Sequence, residues 1–209
     1  MPTNINIHFN KYFFYYLSFL TVSSIFFISE NYLLHTNNSM AEWVINYQGG
    51  FGRRGLLGEL FLQISLLTDI PLKDVILYFL YLIFVVYYSF VYFFFKKIDL
   101  KPIFIIAILS PLFLIFPLAE LEALGRKDIL IPICFIFFSY LYQRFEFYGL
   151  ILSLIIIYTI LLLTHEISIF YLPFFYFIIL FRLNKIKLLN FFILLLISIY
   201  FLFLIFLLS

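Results

Sequence analysis

Cysteine is nearly absent from this chain. Cys134 stands alone inside an apolar run, so neither a disulfide framework nor a thiolate metal site can be built. Charge is scarce as well, at 11% of 209 residues, where soluble domains carry roughly a quarter. No basic cluster is dense enough to track a phosphate backbone, which sets nucleic acid aside as a partner. Glycine is limited to seven residues, most of them crowded between Gly49 and Gly58.

What fills the chain instead is apolar and aromatic: 66% hydrophobic residues and 24% Phe, Trp and Tyr. A soluble domain is about half apolar, so this composition belongs to lipid. Apolar runs at 12–29, 75–95, 103–118, 129–142, 149–164, 167–181 and 190–208 predict about seven spans, each near the length a helix needs to cross. The first follows Lys11 and has no small-x-small cleavage site, so it reads as a retained span and not a signal peptide. Residues 56–67 are too short to cross and suit an interfacial or re-entrant helix. Pro111, Pro117, Pro132 and Pro173 fall in or near spans, where each is expected to kink its helix. The last run reaches Ser209 without a polar tail. That leaves two readings: a terminus at the outer surface, or the N-terminal part of a longer protein.

Lysine and arginine in short loops set orientation. One set of loops holds Lys11, Lys96, Lys97, Lys101, Arg144, Arg182, Lys185 and Lys187, opposed only by Asp99 and Glu146. The other side mixes Arg53, Arg54, Lys73, Arg126 and Lys127 with Glu30, Glu42, Glu59, Asp69, Asp74, Glu120, Glu122, Asp128 and Glu166. The first set is expected in the cytoplasm, with the N-terminus, and the mixed set outside. The expected fold is therefore all-α: a polytopic transmembrane helical bundle forming a single integral membrane domain, 1–209. Its first outer loop, 30–74, carries an amphipathic surface helix and the interfacial or re-entrant helix. A bacterial inner membrane is the expected location.

Three polar clusters fall on the outer face. In the first, Ser39 and Glu42 fit a capping box. Met40, Trp43, Val44 and Tyr47 then follow at i, i+3, i+4 and i+7, one apolar face of a surface helix. Trp43 and Tyr47 read as headgroup anchors, and Gly49-Gly50 ends the helix. The stretch Phe51-Gly52-Arg53-Arg54-Gly55 leads into the next helix, on which Gly55, Glu59 and Gln63 form a polar stripe. Two arginines at a helix start suit a phosphate: the free N–H groups and dipole favour an anion, and the guanidinium grips it with two bonds. Glycine lets the backbone come close to such a ligand. Lipid-headgroup snorkelling, or pairing with Glu59 or another outer acid, explains the same arginines.

The second cluster is Glu120-Leu121-Glu122-Ala123-Leu124-Gly125-Arg126-Lys127-Asp128, in which Glu122 and Arg126 make a favourable i,i+4 pair. Its charges should face water, each other or a ligand, because the bilayer interior costs about 2.5–3.5 kcal/mol per charge. The third is Thr164-His165-Glu166, a tight outer turn or a carrier of protons near neutral pH. A divalent metal has little support, since only His35 shares the outer face with His165 and His8 is expected inside. No other cofactor is implied. Glu30, just beyond the first span, is an interface residue or a general base toward a substrate at the lipid surface.

A first span, an acidic residue just outside it and a long first outer loop with a surface helix resemble the start of a GT-C-type glycosyltransferase. That resemblance implies transfer of sugars from polyprenyl-phosphate donors on the outer membrane face. It implies an acidic base in the first outer loop, matched by Glu30 or Glu42, and basic residues on the lipid phosphate, matched by Arg53 and Arg54. The stretch from Asn46 to Glu59 and the run Gly125-Arg126-Lys127-Asp128 are also similar to uncharacterised bacterial membrane proteins linked to surface polysaccharides. On this reading Arg126 and Lys127 help neutralise the leaving phosphate, and His165 and Glu166 complete the rim. Two other functions fit the same clusters: a transporter or flippase of an anionic lipid-linked substrate, and a non-catalytic subunit that docks a membrane protein partner.

Overall fold

A computed structural model describes residues 4–34, 40–48, 55–96, 98, 102–110, 114–119, 124–182 and 188–207. Every regular element among the described residues is helical, as a backbone that must satisfy its own hydrogen bonds in lipid requires. In chain order these are α1 (Asn4–Leu34), α2 (Ala41–Val44), α3 (Leu56–Thr68), α4 (Leu72–Phe95), α5 (Pro102–Ile108), α6 (Phe116–Ala119), α7 (Leu130–Tyr142), α8 (Phe147–Thr164), α9 (Leu172–Arg182) and α10 (Leu188–Leu207). Short 3₁₀ turns, Lys127–Ile129 and Glu166–Tyr171, lead into α7 and α9.

Among the described residues, three helices are long and apolar enough to cross a membrane: Phe9–Leu33 within α1, all of α4, and all of α8. They coincide with the expected spans 12–29, 75–95 and 149–164. The run 103–118 is not one helix. α5 closes at Ile108, where the N–H groups of Leu109 and Ser110 donate to Ile105 and Ala107, because the residue before Pro111 is biased out of helical backbone. The run 167–181 begins as a 3₁₀ turn and becomes α-helical only at Leu172. With 13 residues, α3 reaches about 20 Å, short of the ~30 Å hydrocarbon core. It ends at Asp69, whose φ of 56° is left-handed, a conformation that aspartate tolerates better than most residues.

The prolines do not act as kinks. Pro102 opens α5, while Pro117, Pro132 and Pro173 lie in the first turns of α6, α7 and α9. There the missing N–H is one that the helix leaves unpaired anyway. Pro111 lies outside the described residues.

The chain forms two compact units, residues 1–42 with 70–126 and residues 43–69 with 127–209. In the first, α1 and α4 pack antiparallel. Phe13 meets Phe95 at 6.2 Å and Phe14 meets Tyr92 at 5.4 Å. Further along, the Ser29 and Tyr81 hydroxyls lie 2.6 Å apart, and the Tyr32 hydroxyl donates to Asp74. Leu17, Leu20 and Ile28 of α1 and Leu80, Phe84 and Val91 of α4 are buried.

In the second unit, the four residues 143–146 join α7 and α8, a link short enough to make them antiparallel neighbours. Its core is aromatic. Phe175 of α9 lies 5.5 Å from both Phe135 and Phe138 of α7 and 5.2 Å from Tyr158 of α8. Phe201 of α10 covers the other side of Tyr158 at 4.9 Å. The Tyr158 hydroxyl donates to the Ser168 carbonyl, tying α8 to the turn that follows it. Tilted and edge-to-face aromatic pairs of this kind add to the attraction that their buried area supplies.

Candidate functional site at the charged end of the α7–α8 hairpin

An antiparallel hairpin brings the start of α7 and the end of α8 to the same place, and the sequence puts its polar residues there. Ahead of α7, Gly125 adopts a φ of 85°, a left-handed bend that favours glycine. The 3₁₀ turn then carries Lys127 and Asp128. At the far end of α8, His165 leaves the helix in extended backbone. Its N–H still donates to Leu161 at 2.8 Å, and its carbonyl accepts from the Ser168 N–H at 3.1 Å. The helix therefore stops at His165 and the next turn starts there, with the imidazole directed at α7.

His165 Nε2 lies 2.7 Å from Asp128 Oδ1. The His165 side chain is 2% exposed and that of Asp128 47%. A carboxylate only accepts hydrogen bonds, so Nε2 is the donor, and in the neutral ring Nδ1 presents a lone pair. Nδ1 is buried with no hydrogen-bond partner among the described residues, and so is the Ser168 hydroxyl three residues on. No three His, Cys, Asp or Glu side chains among the described residues gather closely enough to hold a metal.

Lys127 is fully buried, with Nζ 5.7 Å from the ring centroid of Trp43, within reach of a cation–π attraction. Trp43 is itself fully buried and meets Phe61 of α3 at 6.2 Å. Trp43 is therefore not a headgroup anchor, and the expected surface helix over 40–47 contracts to Ala41–Val44. The physical reason lies in α3. A Cβ on Gly58 would collide with the carbonyls of Trp43 and Ile45, and a Cβ on Gly55 with the Tyr47 ring. These two glycines let α3 lie directly on residues 43–47; the backbone they admit is the chain's own. Glu59 fastens the arrangement, accepting from the Tyr47 N–H at 3.2 Å and from Gln63 Nε2 at 2.8 Å. Burial, and after it the Glu59 carboxylate, push the Tyr47 phenol above its ordinary pKa.

The second unit thus joins residues from all three polar clusters: Trp43 and Glu59 from the first, Lys127 and Asp128 from the second, His165 from the third. Glu166 opens the 3₁₀ turn, half-buried. In the first unit, Arg126 Nε lies 3.8 Å from Glu42; the expected helical pairing of Arg126 with Glu122 involves a residue outside the described ones. Glu30 is exposed in the last turns of α1. Gly49, Gly50, Arg53, Arg54, Glu120 and Glu122 lie outside the described residues, as do Ser39 of the capping box and His35. Sequence reasoning missed Gly58 and Ser168. A glycine on the stripe beside Glu59, and a lone serine in an apolar run after His165, were the signals.

A groove of 430 Å³ between α8 and α10 is lined by Ile151, Ile155, Ile193, Leu196, Ile197 and Tyr200. Its lining carries no charged group. No protein-family model matches the chain, and neither a curated protein nor a solved structure matches it.

Proposed function

We propose that this is a multi-span membrane protein of bacterial envelope glycan assembly. It has about seven spans, its N-terminus in the cytoplasm, and a site on the outer face that transfers sugar from a polyprenyl-phosphate carrier. The observation that carries this reading is the buried lysine at the hairpin end. Taking an ammonium out of water costs several kcal/mol, and a bundle that only had to stand in lipid would place none there. An ionisable side chain buried in a membrane protein marks a functional site by default. Lys127, beside Trp43 and next in sequence to the exposed Asp128, is such a residue, and it draws together loops far apart in sequence. By sequence, Arg53, Arg54 and Arg126 are cations of the kind that suits a carrier phosphate.

The test has two parts. In cells, Arg53→Ala with Arg54→Ala is expected to abolish surface glycan at normal protein level; unchanged glycan overturns the reading. In nanodiscs, the purified chain is expected to transfer radiolabelled glucose from a short-chain polyprenyl phosphate to an alkyl glycoside. Transfer by the chain alone also excludes a purely docking subunit.

A further inference from the structure

We propose that His165 is the general base of this site, acting through Nδ1, with Asp128 as its positioning residue. The inference rests on the functional reading above and names the group that takes the acceptor's proton.

The argument starts from the two ring nitrogens. Nε2 is committed, 2.7 Å from an Asp128 carboxylate oxygen that can only accept. That contact fixes the tautomer and aims the lone pair of Nδ1 away from Asp128, the arrangement by which a carboxylate prepares an imidazole to take a proton from a hydroxyl. The second observation is independent of the first. Nδ1, on a side chain 2% exposed, has no hydrogen-bond partner among the described residues, and neither has the fully buried Ser168 hydroxyl one turn later. Buried polar atoms in folded proteins are satisfied in the great majority of cases. Two orphans on one 3₁₀ turn, tied by the bond from the Ser168 N–H to the His165 carbonyl, are the donor and acceptor that a ligand hydroxyl would satisfy, donating to Nδ1 and accepting from Ser168. Glu30 and Glu42, the carboxylates that the sequence offers as base, have no comparable arrangement: Glu30 is exposed, and Glu42 lies beside Arg126.

The step balances without a further reagent. The acceptor's O–H bond breaks and its proton moves to Nδ1. The oxygen forms a bond to the anomeric carbon as the bond from that carbon to the phosphate oxygen breaks. The electron pair leaves on the phosphate, and Asp128 holds the imidazolium. With 47% of its side chain exposed, Asp128 gives the proton a way to water.

The experiment uses the full chain in nanodiscs, with polyprenyl-phosphate-linked radiolabelled glucose as donor and an alkyl glycoside as acceptor. His165→Gln is expected to lower kcat by about 10²–10⁴ with donor KM unchanged, the range of a lost general base. Asp128→Asn should do the same, because its amide can donate to Nε2 and move the proton to Nδ1, while Asp128→Glu restores much of the rate. Nitrogen NMR of labelled histidine, with His165 assigned by its loss in His165→Gln, reads the tautomer directly. Nε2 protonated in the wild type and Nδ1 protonated in Asp128→Asn is the expected pair of states. Transfer by either His165→Gln or Asp128→Asn within about threefold of wild type overturns the base assignment and leaves the functional reading standing. So does a tautomer that ignores Asp128. A wild-type chain that transfers nothing from this donor overturns the functional reading itself, and the base assignment falls with it.

Discussion

The dipeptide Lys-Asp opens a helix twice in this chain, as Lys73-Asp74 at the start of α4 and as Lys127-Asp128 just ahead of α7. Both copies are built alike. Each lysine stands over an aromatic ring, Lys73 at 4.1 Å from Tyr32 and Lys127 at 5.7 Å from Trp43. Each aspartate bonds a side chain from the neighbouring helix of its own unit, Tyr32 in one case and His165 in the other. The copies differ in burial and in the partner's chemistry. Lys73 and Asp74 are partly exposed, and Lys73 also donates to the Tyr32 carbonyl at 3.1 Å. The Tyr32 phenol is spent as a hydrogen-bond donor to Asp74 and joins two helices. At the other site the lysine and the imidazole are buried, and the ring keeps a second nitrogen, Nδ1, without a hydrogen-bond partner among the described residues. One dipeptide makes a staple in the first unit and, on the proposed function, a reactive end in the second.

The largest effect should come from removing the ring beneath the buried lysine. Trp43→Ala deletes a fully buried indole that meets both Lys127 and Phe61, and large-to-small changes of this kind cost about 3–5 kcal/mol. Unfolding in mild detergent should show the loss, and a smaller one for Trp43→Phe. Equal stability of Trp43→Ala and wild type would mean that the cluster does not form. Next comes the lysine itself. Lys127→Met preserves bulk and removes charge, and is expected to stay folded while glucose transfer falls about 10²-fold, the loss of one charge stabiliser in a dry site. Lys73→Met should remain within about threefold on the same scale. Equal losses at both positions would erase the distinction between staple and site.

Gly58→Ala probes the platform under Trp43. The added methyl meets the carbonyls of Trp43 and Ile45, backbone that cannot swing aside, so α3 must shift. Overpacking of this kind costs about 1–3 kcal/mol, read as a lower melting temperature with partial loss of transfer. Gly149→Ala is the control in the first turn of α8: its added methyl meets only the Phe145 side chain, and a smaller loss is expected.

How much of this was legible in the sequence follows the physics of lipid. Runs such as 75–95 and 149–164 predict their own helices, because an apolar stretch of that length has no other way to satisfy its backbone. That the polar clusters would gather was legible in kind from charge placement, and the second unit joins residues from all three. The partnerships inside it were not. Of the expected face of Met40, Trp43, Val44 and Tyr47, only Trp43 is buried, while Val44 is exposed and Tyr47 lies beyond the helix; periodicity could not tell lipid from protein as what Trp43 faces. Gly58, which decides the matter, acts through an absent side chain. Asp128 and His165 are 37 residues apart, and their pairing depends on where α7 begins and α8 ends. The run 103–118 misled for the opposite reason. Its composition suits a span throughout, and only the bias imposed by one proline on its predecessor interrupts it.

The smallest predicted effect tests the staple side of the comparison. Ser29 and Tyr81 bridge α1 and α4 through hydroxyls 2.6 Å apart, while Ser29 also donates to the Ile25 carbonyl at 2.7 Å. With that local acceptor engaged, Ser29 must accept from Tyr81, so Tyr81→Phe removes the donor and leaves the serine's own bond intact. Interhelical hydrogen bonds in a bilayer are worth only about 0.6 kcal/mol by double-mutant cycle, since an unfolded helix in lipid finds substitutes. A cycle of Ser29→Ala and Tyr81→Phe should return a coupling near that value, with transfer unchanged in all three variants. A coupling several times larger, or a loss of activity, would mean that the α1–α4 pair takes part in the chemistry, and the division of labour between the two Lys-Asp ends would have to be redrawn.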